Sequence, residues 1–259
     1  MAKWLNASIT ANERFNERLT ALRFEVDIDR FVAGQFLRVG LEIDGEIIAR
    51  PYSLVNAPDE RPFEIYFNIV PEGPLSPRLF ELQQGDTLLV SPMPNGFLTV
   101  NEVPETRDLW MIATGTGVGP YLSMLKTTEI WERFEHVVLA YSVRSEEELA
   151  YRPLIAGLTS KHPDQFVFAP HVTRETVDGT LPERIPRSLA NGTLESFTGL
   201  ELVPERSHVM MCGSADMIAD VSRELESRGM QRHRRREPGP CVALDRAAHG
   251  NATLVRDIH

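Results

Sequence analysis

Three short segments of the chain carry the residue types that could do chemistry. In the first, the apolar run Leu109-Trp110-Met111-Ile112-Ala113 empties into Thr114-Gly115-Thr116-Gly117-Val118-Gly119-Pro120. Glycines without Cβ atoms let a backbone approach a pyrophosphate, and a helix opening at Pro120 offers unpaired N–H groups and the positive end of its dipole. A strand, a glycine turn and a helix in that order read as a dinucleotide site. The second segment, Arg50-Pro51-Tyr52-Ser53, holds three polar handles within four residues. A guanidinium is planar, permanently charged and bidentate, which suits a diphosphate; the tyrosine gives a stacking face and a hydroxyl, and the serine can donate or accept. In the third, Val209-Met210-Met211-Cys212 runs into Gly213-Ser214-Ala215-Asp216-Met217. A cysteine ending such a run serves packing and orientation, since nothing nearby supplies a base to make it a thiolate.

Composition narrows what these segments can belong to. The chain has 259 residues, of which 42% are apolar, enough for one large core or two ordinary ones. Its start, Met1-Ala2-Lys3-Trp4-Leu5-Asn6, lacks a continuous apolar stretch, and no segment approaches the roughly 18 apolar residues of a spanning helix, so a cytoplasmic protein without membrane contact is expected. Two cysteines, Cys212 and Cys241, exclude a disulfide framework, a four-cysteine zinc site and a cysteine-ligated iron–sulfur cluster in this chain. The seven histidines show no paired ligand spacing, so no metal is expected, and the absence of GxSxG removes the anchor for a serine hydrolase. A net charge of -10 argues against nucleic-acid binding. From Arg228 onward, however, seven arginines face three acidic residues. The run Arg232-His233-Arg234-Arg235-Arg236 reads equally as a docking patch for an acidic protein and as a solvated helix end or loose tail.

The chain must also build elements that hold the three segments in place. From Ala21 to Val100, short alternating runs are broken by turn residues: 22–26, 36–39, 46–49, 63–70 and 87–90. Period-two alternation punctuated by Gly, Pro, Asp and Asn predicts an antiparallel barrel or sandwich. One helix interrupts it over 75–82, with Ser76 as the expected N-cap and Pro77 as the first helical residue. Past Val103 the pattern becomes apolar strands (109–113, 136–141, 166–168, 208–212) alternating with helical stretches, which predicts a parallel sheet covered on both faces. Two domains are therefore expected, 1–103 and 104–259.

The order RPYS, GTGVGP, CGSADM resembles the ferredoxin-NADP(+) reductase family, nearest its bacterial members, over Ala21 to Arg236. The resemblance implies a Greek-key β-barrel binding FAD, followed by an α/β parallel-sheet domain binding NADP(H). It gives Arg50 the flavin diphosphate, Tyr52 the isoalloxazine face and ribityl chain, and Ser53 the flavin N5, with Pro51 between them. Phe67, Asn68, Ile69 and Val70 match a strand along the flavin, and Pro74, Leu75 and Ser76 a helix N-terminus at its diphosphate. Thr116 matches a flavin contact from the second domain. Gly115, Thr116 and Gly117 would pass the nucleotide pyrophosphate and nicotinamide, Cys212 would lie at the nicotinamide carbon that releases hydride, and Arg144, Arg174 and Arg184 would grip the adenosine 2'-phosphate. Arginines at strand ends favour NADPH, whereas an acidic residue there would favour NADH. The implied activity is hydride transfer from NADPH to FAD and single-electron transfer to ferredoxin or flavodoxin, by a monomer whose basic patch steers an acidic carrier. A reductase of the same architecture serving an oxygenase or a free flavin, and a non-catalytic flavin- or nucleotide-binding subunit, stand as alternatives.

The ending departs from that pattern. Members of the family commonly finish on an aromatic residue that covers the flavin, but no Phe, Tyr or Trp follows Phe197 here. The stretch Pro240 to His249 has no strand or helix period, and the tail from about 240 to 259 reads as atypical, as a frameshift would leave it.

Overall fold

In the computed structural model, residues 3–28 and 30–232 are described in full and 241–246 as backbone. The N-terminal half forms one six-stranded antiparallel sheet from β1 (Leu5–Arg14), β2 (Leu19–Glu25), β3 (Phe36–Ile43), β4 (Glu46–Ser53), β5 (Phe63–Asn68) and, after helix α1 (Ser76–Glu81), β6 (Thr87–Val90). Its order is β4-β3-β6-β1-β2-β5, and an antiparallel bridge between Leu54 and Ile65 joins the two outer strands, which closes the barrel. The core inside is apolar, with Phe24, Leu37, Phe63, Ile65, Leu79 and Leu88 buried together.

The C-terminal half is a parallel sheet of β7 (Asp108–Thr114), β8 (His136–Val143), β9 (Phe166–Val172), β10 (Ser207–Gly213), β11 (Gln231–Arg232) and β12 (Cys241–Arg246). Helices α2 (Gly119–Leu125), α3 (Glu129–Arg133), α4 (Arg152–Lys161), α5 (Ile185–Ala190), α6 (Thr193–Thr198) and α7 (Ala215–Ser227) connect them. Two apolar clusters, one built on Met111, Leu139 and Tyr141 and the other on Trp110, Ile112 and Met211, cover its two faces. That explains why β7, β8 and β10 read as unbroken apolar runs. The strand order is β11-β12-β10-β7-β8-β9. The chain winds outward from β7 through β8 to β9, then returns to the other side of β7 with β10. The carboxyl ends of β7 and β10 therefore flank the point where the winding reverses, where open parallel sheets leave a crevice.

Three sequence expectations need correcting. Strand β1 lies outside the expected runs: its apolar alternation, Leu5, Ala7 and Ile9, is short and gives way to Thr10-Ala11-Asn12-Glu13-Arg14, so that along the strand only Ala7 and Ile9 are buried. Ser76 is not an N-cap: it is the first residue of α1, and its hydroxyl accepts a hydrogen bond from Val70 N–H at 2.9 Å, closing the loop before the helix. Residues 241–246 form a strand, parallel to β10 from Val209↔Val242 to Gly213↔Arg246. A parallel strand with neighbours on both edges carries no alternation by which to recognise it. The rest of the atypical tail lies outside the described residues, as does His233 to Arg236 of the basic run; Arg232 is exposed.

Candidate active site

The glycine turn occupies Gly115–Val118 as one tight turn between β7 and α2. Two of its features depend on glycine. Gly115 adopts φ +53°, and a Cβ there would meet nothing within 4 Å, so its backbone faces open space. A Cβ on Gly117 would lie 2.3 Å from the Cys212 carbonyl oxygen, a backbone atom that cannot swing away. The turn after β7 is therefore seated directly on the end of β10. Gly213 completes the seat, since a Cβ there would lie 2.1 Å from Thr114 Oγ1, and Ser214 N–H donates to that same hydroxyl at 2.9 Å. Ser214 Oγ in turn accepts from Met217 N–H at 3.3 Å, capping α7. The sequence reading of Cys212 as a buried strand end holds in the structure.

Arg50-Pro51-Tyr52-Ser53 ends β4, as its sequence suggested. Alternation puts Arg50 and Tyr52 on one side of the strand and Ser53 on the other. Arg50 is exposed, and among the described residues its guanidinium has a hydrogen bond to the Ala49 carbonyl at 2.9 Å and no carboxylate within ion-pair distance. Tyr52 packs edge-on against Phe67 with ring centroids 5.4 Å apart. Burial pushes its hydroxyl well above the usual tyrosine range, against the opposing pull of the Arg50 charge. On the other side, Ser53 Cβ stands 4.0 Å from where a Cβ on Gly119 would be. The polar end of β4 and the start of α2 thus face each other across the two halves of the chain, close enough that a single methyl group would bridge them.

A cleft of about 330 Å³ opens beside this junction. Of the residues singled out in the sequence, it gathers Asn68, Gly115, Thr116, Arg144, Arg174 and Arg184. Arg50, Pro51, Tyr52, Ser53, Phe67, Ile69, Val70, Pro74, Leu75, Ser76, Gly117 and Cys212 stand outside its lining. Arg144 follows β8, and Arg174 N–H donates to the Arg144 carbonyl at 2.9 Å, so the two arginines are pinned side by side at the sheet's edge. Arg184 precedes α5. That helix is tied to β9 by His171, whose Nε2 lies 2.9 Å from Ser188 Oγ while Nδ1 lies 3.1 Å from the Ala169 carbonyl. Burial holds the His171 imidazole down at about 4, so it is neutral at physiological pH.

Several lining residues were not singled out in the sequence: Arg18 from the β1–β2 turn, Leu19 at the start of β2, Ser142 and Thr173 at the ends of β8 and β9, and Asp216 and Asp220 on α7. Ser142 and Thr173 were findable in principle, because ligands of parallel sheets gather at strand carboxyl ends. Among the described residues no cluster of His, Cys, Asp and Glu fit for a metal occurs, and no helix is long and apolar enough to cross a membrane.

The donors present fit a dinucleotide and a flavin: backbone kept bare by glycine, three arginines in the cleft lining, and at the barrel end an edge-on aromatic pair beside an arginine that, among the described residues, has no ion pair. Comparison with known proteins agrees at the level of domains. Residues 6–97 match the family described as Oxidoreductase FAD-binding domain, and 111–223 match Oxidoreductase NAD-binding domain. Among relatives, the flavodoxin/ferredoxin–NADP reductase of Escherichia coli (strain K12) is 41% identical over 221 residues, spanning 85% of this chain and 89% of that one. The ferredoxin–NADP reductase of Pseudomonas aeruginosa is 35% identical over 219 residues, 81% and 84% of the two chains. Among solved structures, a ferredoxin NADP+ reductase from Neisseria gonorrhoeae with bound FAD and NADP superposes with a TM-score of 0.90 at 33% identity, covering 95% of this chain and 99% of that one. The chain belongs to the flavodoxin/ferredoxin–NADP reductase family.

Proposed function

We propose that this protein is an FAD-dependent reductase that moves electrons between NADPH and ferredoxin or flavodoxin, with a barrel domain over 1–103 and a nucleotide domain over 104–259. The observation that carries this is the convergence at the switch point. Gly117 rests on the Cys212 carbonyl, and two residues further on a Cβ on Gly119 would lie 3.6 Å from Val55 Cγ2 and 4.0 Å from Ser53 Cβ, so the nucleotide turn and the polar end of β4 border one junction.

Bound FAD supplies the exchange of a two-electron hydride for single electrons. The chain's own residues supply geometry and electrostatics. Arg50 is free to pair with the flavin diphosphate, Tyr52 to stack on its ring, and Ser53 to hold a hydrogen bond at N5. Phe67 and Asn68 at the end of β5, with Ile69 and Val70 after it, would continue that surface, and the backbone of Pro74, Leu75 and Ser76 would meet the diphosphate. Thr116 reaches toward the flavin from the second domain, while Gly115 and Gly117 admit the nucleotide backbone. Cys212, buried near the end of β10, would pack at the nicotinamide and orient it. Arg144, Arg174 and Arg184 take the 2'-phosphate. The enzyme is proposed to act as a cytoplasmic monomer without nucleic-acid partners, recognising an acidic carrier by charge.

The test is anaerobic turnover with NADPH and either purified flavodoxin or ferredoxin. Reduction of one or both at a rate that falls as salt rises is expected. Turnover with a small one-electron acceptor but neither carrier would assign the enzyme to a different acceptor.

A further inference from the structure

The sequence placed all the expected phosphate-binding arginines of the nucleotide on the α/β half, yet the cleft lining also takes an arginine from the barrel. Arg18 stands in the β1–β2 turn of the barrel and lines the cleft that also holds Arg144, Arg174 and Arg184. Its turn is firmly built. Asn16 Oδ1 accepts from the N–H groups of Arg18 and Leu19, each at 2.9 Å, and Ile69 N–H donates to the Arg18 carbonyl at 2.8 Å. Phe15, just before the turn, packs on Tyr66 of the barrel and on Tyr151 of the other domain, with ring centroids 5.4 Å apart in each case. The backbone of Arg18 is thus fixed relative to both walls, while its side chain is exposed and, among the described residues, has no carboxylate within ion-pair distance. Arg18 thus adds a fourth arginine to a lining that holds Arg144, Arg174 and Arg184 beside Glu148, Asp216 and Asp220, a concentration of positive charge that an anion bound in the cleft would relieve.

We propose that Arg18 is a further nucleotide-binding residue, contributed by the flavin half, that pairs with a phosphate of NADP(H) so that the bound nucleotide bridges the two domains. This rests on the cleft being the NADP(H) site proposed above. The shared chemistry is a phosphate oxyanion held by a bidentate guanidinium, and its source is either the 2'-phosphate or the pyrophosphate.

Titration calorimetry of NADP+ and NAD+ into the FAD-loaded protein, Arg18→Gln and Arg18→Lys tests it without requiring turnover. Arg18→Gln is expected to weaken NADP+ binding by roughly tenfold, Arg18→Lys to recover part of that, and FAD content and melting temperature to stay unchanged because the side chain is exposed. Loss confined to NADP+ assigns the 2'-phosphate, and equal loss for NADP+ and NAD+ assigns the pyrophosphate. Unchanged affinity in Arg18→Gln overturns the proposal while leaving the cleft as the nucleotide site. If the unmodified protein binds neither nucleotide, the site assignment itself fails and Arg18 with it.

Discussion

Ser53 and His171 show how differently single residues contribute. Ser53 is half-buried and carries no packing burden, so Ser53→Ala should leave the fold and the NADPH KM nearly unchanged while lowering kcat by roughly 10- to 100-fold, the cost of losing one aligned hydrogen-bonding group; stopped-flow reduction by NADPH reads this directly. His171 acts through stability. Its free imidazole titrates near 6.5, and burial holds the folded one at about 4. Between these values the unfolded chain binds a proton that the folded chain does not, so stability is full above about 6.5 and falls as pH drops toward 4, by roughly 3 kcal/mol. Melting temperatures of the native protein and His171→Gln, measured from pH 7.5 to 4.5, should converge as pH falls; parallel curves would refute it. At this scale the legible residues were those whose chemistry sits in one contiguous stretch, such as Arg50 to Ser53 and Gly115 to Gly117. Arg18, Asp216 and Asp220 reach the cleft only through the topology, and nothing in their local sequence marks them.

The two turns at the switch point are held together by the absence of two Cβ atoms, which makes them sensitive to the smallest substitution. Gly117→Ala places a methyl group 2.3 Å from a backbone oxygen of β10, so the turn must lift from its seat at a cost of roughly 1–3 kcal/mol. Gly157, exposed in α4 with nothing within 4 Å of its Cβ position, provides the contrast. Gly157→Ala should stabilise the protein by roughly 0.5–1 kcal/mol through helix propensity. Thermal melts of the two variants should therefore shift in opposite directions, and a shared direction would contradict this account. The strands of the parallel sheet were legible because burial on both faces makes them uniformly apolar. Strand β1 was not, since only Ala7 and Ile9 of it turn inward and its second half is polar, and the cap assigned to Ser76 failed because its hydroxyl serves Val70 instead.

The two domains meet through few polar contacts, each well formed. Ser123 Oγ on α2 donates to the Asn56 carbonyl at 2.7 Å, Lys126 pairs with Glu60 at 2.9 Å, and Tyr151 donates to Glu64 Oε1 at 2.5 Å while Arg23 holds the other carboxylate oxygen at 2.9 Å. Tyr151 sits in the left-handed region at φ +60°, a conformation that surrounding contacts must maintain. Tyr151→Phe keeps the ring among Phe15 and Tyr66 but removes the donor to Glu64, and is expected to cost roughly 1–3 kcal/mol, read as a lower midpoint in urea. The two-domain plan could be read from the change of pattern near Val103, but this interface could not, because Glu64 and Tyr151 are 87 residues apart and each looks like an ordinary surface residue.

The central claim is that one junction binds both a flavin and NADPH. It is tested most directly by an anaerobic visible spectrum of the purified, FAD-supplemented protein during titration with NADPH and then NADH. Flavin bands that bleach at a much lower concentration of NADPH than of NADH are expected, the difference reflecting the arginines proposed to hold the 2'-phosphate. A protein that takes up no FAD, or whose bands persist with both nucleotides, would contradict it.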